Sequence, residues 1–196
     1  QKSEIAIGVV IIAIILFIAF SFRKVNRTDD GERRHGVSSW FYGLAAIVAL
    51  IFDVLIPTGV FAVLGEFTSA EVDILFITAL LAILGYSVND TIVVFDRIRE
   101  RLKDNRELKR HEPFDESVGA SLNQTIVRSV NTSFTTALVL FVLYIVGGST
   151  TQFFALTLLV GVLAGTYSSI FLASPLLVAL STWRTRTTNN TPSPSV

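Results

Sequence analysis

The sequence predicts an all-α membrane protein, a bundle of five transmembrane helices carrying a cytoplasmic helical hairpin. Three observations predict it. Hydrophobic residues make up 51% of the chain and charged residues only 16%, whereas a soluble domain carries about a quarter charged. The charges gather in 23–36, 96–116 and the short tail, leaving long apolar stretches between them, and the mean hydropathy is +0.61. Finally, the basic residues fall in alternate loops only, as the positive-inside rule requires of a multi-pass protein.

Five apolar segments follow in order: 5–22, 40–64, 74–95, 130–146 and 153–180. At 1.5 Å per residue, roughly 20 residues cross a hydrocarbon core of about 30 Å, and all five are near that length. No small-residue cleavage pattern follows the first, so it does not read as a signal peptide. The chain contains no Met and opens on Gln1, which reads as a fragment or a processed product. The fourth segment is the shortest and borrows Ser129 or Asn131 at its start. The last is long enough to tilt, or to bend at Pro175. Every Lys and Arg except Lys2 lies in 23–34, in 97–128 or in the tail, and alternating loops put all of these on one side. The opposite loops, 65–71 and 147–152, contain none. The C-terminus is therefore expected in the cytoplasm and Gln1 outside, in a multi-pass plasma (inner) membrane protein.

The segment 96–128 reads as two short cytoplasmic helices. Ile98 and Leu102 give the first an apolar face, and Pro113 breaks the pattern. Asp115 and Glu116 then suit the first turn of a second helix, whose apolar face is Val118, Leu122 and Ile126. This hairpin is either a solvated surface near the membrane or a docking surface. The transmembrane domain is thus expected over 1–184, with 185–196, rich in Thr, Asn, Ser and Pro, as a disordered tail. Cysteine is absent, which excludes disulfides and thiolate metal sites. His35 and His111 fall in separate loops, so no metal site is expected. No glycine-rich phosphate loop is present, so direct use of ATP is not expected. Neither a cofactor nor a nucleic-acid partner is indicated.

Several residues do not belong in lipid. Asp53 lies close to the middle of the second segment, and Asp90 about five residues cytoplasmic of the centre of the third. An ionised Asp at a helix centre costs at least about 2.5–3.5 kcal/mol on insertion scales. A carboxyl balanced between burial and a nearby cation can load and release a proton. Pro57 has no N–H to give to the carbonyl four residues back, and that carbonyl belongs to Asp53. The alternative for Asp53 is a neutral, hydrogen-bonded acid in a helix interface. Asp90 comes with Asn89, Ser87 and Tyr86, four polar side chains in about one turn. No single face hides all of them, so other helices or a partner must cover them; the alternative is a polar cluster that only glues helices together. Arg128 can reach inward or snorkel to the interface. Ser129, Thr132, Ser133, Thr135 and Thr136 give its helix a hydroxyl-rich face, suited to a water-lined path or to close packing. In the last segment Gly161, Gly165, Ser169 and Ala173 recur every four residues, a stripe that lets another helix approach closely.

The run GYSVNDTIVVFDRIRE over residues 85–100 resembles the hallmark stretch of the SecF family of protein-export membrane subunits. Within it Gly85, Tyr86, Ser87, Asp96, Arg97, Arg99 and Glu100 carry the motif beside Asn89 and Asp90. Phe52-Asp53-Val54, the run SLNQTIVRS over 121–129, and Gly147-Gly148 leading to 161–174 resemble the family in the same order. The resemblance covers nearly the whole chain, with 23–36 and the tail as its weak parts. It implies a six-helix template with an external domain between the first two helices, of which the five segments are the second to the sixth. It implies a fold of the RND transporter superfamily, a SecD-like partner, association with the SecYEG channel and the translocating polypeptide, and export driven by the proton motive force. The family's proton-path residues fall on Asp90 and Arg128, and Asp53 matches a polar family position.

Three rivals are weighed. A proton-coupled RND exporter of lipids or small molecules would share the membrane chemistry and differ in its external domain. A non-transporting translocon scaffold would tolerate Asp90→Asn. An intramembrane aspartyl protease would need Tyr-Asp and Gly-x-Gly-Asp, where this chain has Phe52-Asp53 and Val88-Asn89-Asp90. The sequence therefore indicates a transport protein rather than an enzyme.

Overall fold

The computed structural model describes residues 39–68 and 73–189. Within them lie α1 (Ser39–Phe67), α2 (Ile74–Glu107), α3 (Phe114–Val146), α4 (Ser149–Ser168), a π-helical turn (Ser169–Ala173) and α5 (Ser174–Asn189). Four stretches are long and apolar enough to cross a membrane: Trp40–Phe67, Ile74–Glu107, Phe114–Val146 and Ser149–Trp183, the last spanning α4, the π turn and much of α5. The protein is thus an all-helical multi-pass membrane bundle. The first expected span, 5–22, the loop 23–36 and residues 190–196 of the expected tail lie outside the described residues, and α5 carries helix on to Asn189.

The two short helices expected over 96–128 are instead continuations of the spans. Helix α2 runs unbroken for 34 residues and α3 for 33. No Gly or Pro interrupts 96–107, so nothing in the backbone ends the helix where its composition turns polar. Asp73 caps the start of α2, its carboxylate accepting from the Phe76 N–H at 2.8 Å. At the other end Arg110 N–H donates to the Asn105 carbonyl (2.8 Å) and Lys109 N–H to the Arg106 carbonyl (3.1 Å). That is a Schellman closure with Lys109 at the left-handed position, φ 50°. A side chain there costs about 1–2 kcal/mol relative to glycine. Lys109→Gly is therefore expected to slow amide exchange across 105–110, after allowance for the greater freedom of glycine in the unfolded chain. Pro113 precedes the first turn of α3, and Asp115 and Glu116 lie in that turn, as the sequence predicts.

Glu112 ties the 108–113 turn shut. It accepts from Arg101 through two bonds (Nε 3.0 Å, Nη2 2.7 Å), from Asn105, and from the Ser117 hydroxyl at 3.0 Å. The Arg101 bonds, then Asn105, push its carboxyl from the ordinary 4.5 down to about 2. A lowered carboxyl contributes stability above its ordinary range and loses it as pH falls through the folded value. Glu112→Gln is expected to speed amide exchange across 108–117 at neutral pH, and the difference from wild type should vanish as pH approaches 2.

Helix α4 is central, packed against α1, α2 and α3. Small residues make this possible. Ala45, Ala46 and Ala49 on α1 are buried, and Gly161 is so close to Ile83 of α2 that a Cβ there would overlap its side chain. Helices α3 and α4 join at Gly147-Gly148, where a Cβ on Gly147 would run into the Leu143 carbonyl. Tyr42 and Phe95 meet edge-to-face at 5.4 Å within the apolar cluster. Much of the outer surface is apolar, including Val130, Phe134, Leu138, Phe141 and Ile145 of α3, which suits lipid rather than water. Just before Pro175, where the sequence allows a bend, the helix widens into the π turn. Proline has no N–H for the Phe171 carbonyl and its ring crowds that oxygen; a wider turn accommodates both.

Candidate functional site

Two acids organise the bundle, Asp53 buried and Asp90 half-buried, and each is held by hydroxyls from other helices. Asp53 of α1 is completely buried (0% exposed), as is Pro57 one turn later. Helix α1 is continuous through Pro57, so the Asp53 carbonyl lacks its usual donor. The Ser87 hydroxyl of α2 donates to Asp53 Oδ2. Ser168 of α4, also completely buried, donates its hydroxyl to the Gly165 carbonyl at 3.1 Å. Oδ1 of Asp53 is buried without a hydrogen bond among the described residues, as is Oγ1 of Thr91, one turn beyond Ser87.

Asp90 is half-buried and fully coordinated. Ser129 of α3 donates to Oδ1 at 2.6 Å, and Ser169 of the π turn donates to Oδ2 at 2.5 Å. Hydrogen bonds to an ionised acceptor are roughly twice as strong as neutral ones. A third polar contact spans the same helices. The Tyr86 and Ser133 hydroxyls lie 3.2 Å apart, and Ser133 also bonds with Thr166 of α4. Three of the four polar residues at 86–90 therefore point to several neighbours: Ser87 to α1, Tyr86 and Asp90 to α3, Asp90 also to the π turn. Asn89 is exposed on this chain.

The stripe of small residues sets this register. Gly161 packs on Ile83, a Cβ on Gly165 would lie 3.2 Å from the Ser87 Cβ, and Ser169 bonds Asp90. Steps of four along α4 thus meet steps of about four along α2. Ser169 is more than the packing residue the sequence suggests, because it also carries a hydroxyl to Asp90.

Arg128 is not brought to Asp90. Its side chain is exposed and forms no ion pair with Asp90 among the described residues. The hydroxyl-rich face of α3 also divides. Ser129 and Ser133, one turn apart, face inward, while Thr132, Thr135 and Thr136 return their hydroxyls to carbonyls four residues back at 2.7–3.0 Å. Ser168 and Thr166 are site residues that the sequence does not single out. The cue it offers is the pair of adjacent serines six residues before Pro175.

The family described as "Protein export membrane protein SecD/SecF, C-terminal" matches residues 37–183. The chain belongs to the SecD/SecF family. It is 48% identical over 180 residues to the protein translocase subunit SecF of Thermobaculum terrenum, covering 91% of this chain and 52% of that one. It is 43% identical over 173 residues to the protein translocase subunit SecDF of Thermus thermophilus, covering 88% of this chain and 20% of that one. The chain therefore spans about half the length of its SecF relative. The fold is similar to the crystal structure of SecDF from Thermus thermophilus, described as a translocon-associated membrane protein, with a TM-score of 0.75 at 42% identity, covering 93% of this chain and 22% of that one. It is also similar to SecDF in a super-membrane-facing form, with a TM-score of 0.71 at 42% identity, covering 89% and 21%.

The SecF-like motif braces α2 below Asp90. Arg97 donates from Nε to Gln124 of α3 at 2.8 Å and pairs through Nη1 with Glu100 at 2.6 Å. Arg99 turns the other way, its guanidinium carbon 4.6 Å from the centre of the Tyr42 ring of α1, a cation–π contact. Between them Ile98 is completely buried, whereas Asp96 and Glu100 are exposed and a Cβ added at Gly85 would meet nothing within 4 Å among the described residues. The motif thus joins α2 to both flanking helices.

Proposed function

We infer that this chain is the membrane half of a SecF-type export subunit that couples the proton motive force to polypeptide translocation across the plasma membrane, with Asp90 as its principal proton carrier. The observation that carries the reading is the placement of Asp90: one acid in a helix bundle, bonded at both oxygens by hydroxyls from two other elements. Its charge holds α2, α3 and the π turn together. Protonation replaces two charge-assisted bonds by weaker neutral ones, so the helices are released to shift. One elementary charge crossing 100 mV supplies about 2.3 kcal/mol, a bias of roughly fifty-fold on a two-state equilibrium. Asp53 is the second candidate in the path.

In this reading residues 5–22 of the chain form its fifth span, with the N-terminus of the chain outside and the basic 96–128 hairpin and C-terminus in the cytoplasm. A SecD-like subunit covers Asn89 and the outward side of Asp90, and the SecYEG channel delivers the polypeptide. Arg128, exposed here, faces either that partner or the lipid headgroups. The SecF and SecDF relatives, named for protein translocation, favour export of polypeptides over export of lipids or small molecules.

The test is export of a secreted reporter in cells that depend on the full-length protein, comparing wild type with Asp90→Asn. Export that collapses while SecD co-purification persists supports the reading; normal export overturns it.

A further inference from the structure

We propose that Tyr86 and Ser133 form a hydroxyl relay that delivers the proton to Asp90, with Thr166 positioning Ser133; the proposal rests on Asp90 being a proton carrier, as inferred above. The three hydroxyls meet from three helices. Tyr86 Oη of α2 and Ser133 Oγ of α3 lie 3.2 Å apart, and Thr166 of α4 donates to Ser133. They repeat the set around Asp90 one turn away. Tyr86 stands four residues before Asp90 on α2, Ser133 four after Ser129 on α3, and Thr166 three before Ser169 at the end of α4. The 108–113 turn joins α2 to α3, and Gly147-Gly148 joins α3 to α4, so all three steps lead away from the 108–113 turn. The Ser169 hydroxyl, besides meeting Asp90, reaches the Thr166 carbonyl at 3.1 Å and ties the two layers together.

Hydrogen counting gives the cluster a direction. A hydroxyl oxygen accepts two hydrogens and gives one. The threonines on either side of Ser133 turn theirs back on their own helix, Thr132 and Thr136 donating to carbonyls four residues back at 2.9 and 3.0 Å. Ser133 is bonded across to Tyr86 and Thr166 instead. With both of its lone pairs filled by those two, its hydrogen is left for the next turn of α3, where Ser129 donates to Asp90 Oδ1 at 2.6 Å. One helical turn rises about 5.4 Å, the span of two O–H···O bonds of about 2.8 Å through a single water molecule. A proton then passes with every hydroxyl restored. Ser129 gives its hydrogen to Asp90 Oδ1 and takes one from the water, the water takes that of Ser133, and Ser133 takes that of Tyr86. Tyr86 is half-buried whereas Ser133 is only 4% exposed, so Tyr86 is the end at which the lost proton is replaced. Thr166, anchored also to the Val162 carbonyl at 2.9 Å, holds Ser133 in place.

Proton uptake tests this, measured with a pH-sensitive dye trapped in vesicles that hold the full-length protein with its partner under an imposed membrane potential. Tyr86→Phe and Ser133→Ala are each expected to lower uptake about tenfold or more, and reporter export with it, while melting temperature and partner co-purification stay near wild type. Ser133→Thr, which keeps a hydroxyl, should restore uptake. Thr166→Val should lower it by a smaller factor, and Thr166→Ser should leave it intact; wild-type uptake in Thr166→Val would remove the positioning role. Wild-type uptake in both Tyr86→Phe and Ser133→Ala would show that Asp90 exchanges its proton by another route and overturn the proposal. Uptake lost together with melting temperature or partner binding would assign these hydroxyls to packing and overturn it as well. Asp90→Asn answers separately: uptake that survives it removes the reading of Asp90 as carrier, whatever the relay variants do.

Discussion

Gly161→Val is expected to force α4 off α2 and leave little folded protein after mild heating in detergent. Even a single added carbon at Gly161 would overlap the Ile83 side chain. Ile83 is 1% exposed, and a β-branched residue in a helix has essentially one rotamer, so it has nowhere to turn. Overpacking of this kind costs about 1–3 kcal/mol and sometimes more, and valine adds two further methyl groups. The cost falls on the central helix, whose contacts reach α1, α2 and α3. Thermal stability of the purified protein is the measurement, with Gly59→Ala as the control, since a Cβ there meets nothing within 4 Å. Gly161→Ala combined with Ile83→Ala should recover part of the loss, because residues in direct contact are non-additive. Wild-type melting of Gly161→Val would show that α4 and α2 do not meet as described.

Asp90→Asn is expected to lower reporter export about tenfold or more without loss of expression or of assembly. Asparagine has the shape of aspartate and keeps an oxygen for Ser129 or Ser169 to meet, so the packing of α2, α3 and the π turn survives. What disappears is the charge that can be gained and lost, and with it the roughly fifty-fold bias that 100 mV places on one charge. Export in the variant should also become indifferent to partial collapse of the membrane potential, whereas wild-type export falls with it. A variant that exports normally and keeps its dependence on the potential would move the carrier role to Asp53 or to the partner subunit.

The four described spans and their order are legible in the sequence because burial in lipid is a bulk property that composition reports. Helix ends are legible where backbone chemistry marks them, as at Pro113 with Asp115 and Glu116. They are not legible at residues 96 and 129, where hydropathy changes and the helix does not; polarity says where the membrane stops, and only Gly, Pro and capping residues say where a helix does. Asp90, Asp53 and the stripe Gly161, Gly165, Ser169 can be picked out because each is anomalous for its segment. Their partners cannot. That Ser129 and Ser169 meet Asp90, and that Ser87 meets Asp53, depends on the relative register of separate helices. The π turn shifts that register at Ser169, and Pro175 announces a disturbance without specifying its form. Arg128 shows the converse: its place in the resemblance suggests an inward role, but the helical period that turns Ser129 toward Asp90 carries Arg128 outward.

The unbroken run of α2 from Ile74 to Glu107 has a mechanical consequence. Glu107 lies 17 residues beyond Asp90, about 25 Å along the axis at 1.5 Å per residue. Helix α3 extends in parallel from Ser129 back to Phe114, and Glu112 clamps the two tips together. On the proposed role of Asp90 the pair would act as a lever with its fulcrum at the acid: by the same helix geometry, a tilt of about 5° at Asp90 would sweep the 108–113 turn sideways by about 2 Å. The presence or absence of one proton deep in the bundle would thus be legible as a displacement at its far tip, where another protein could feel it.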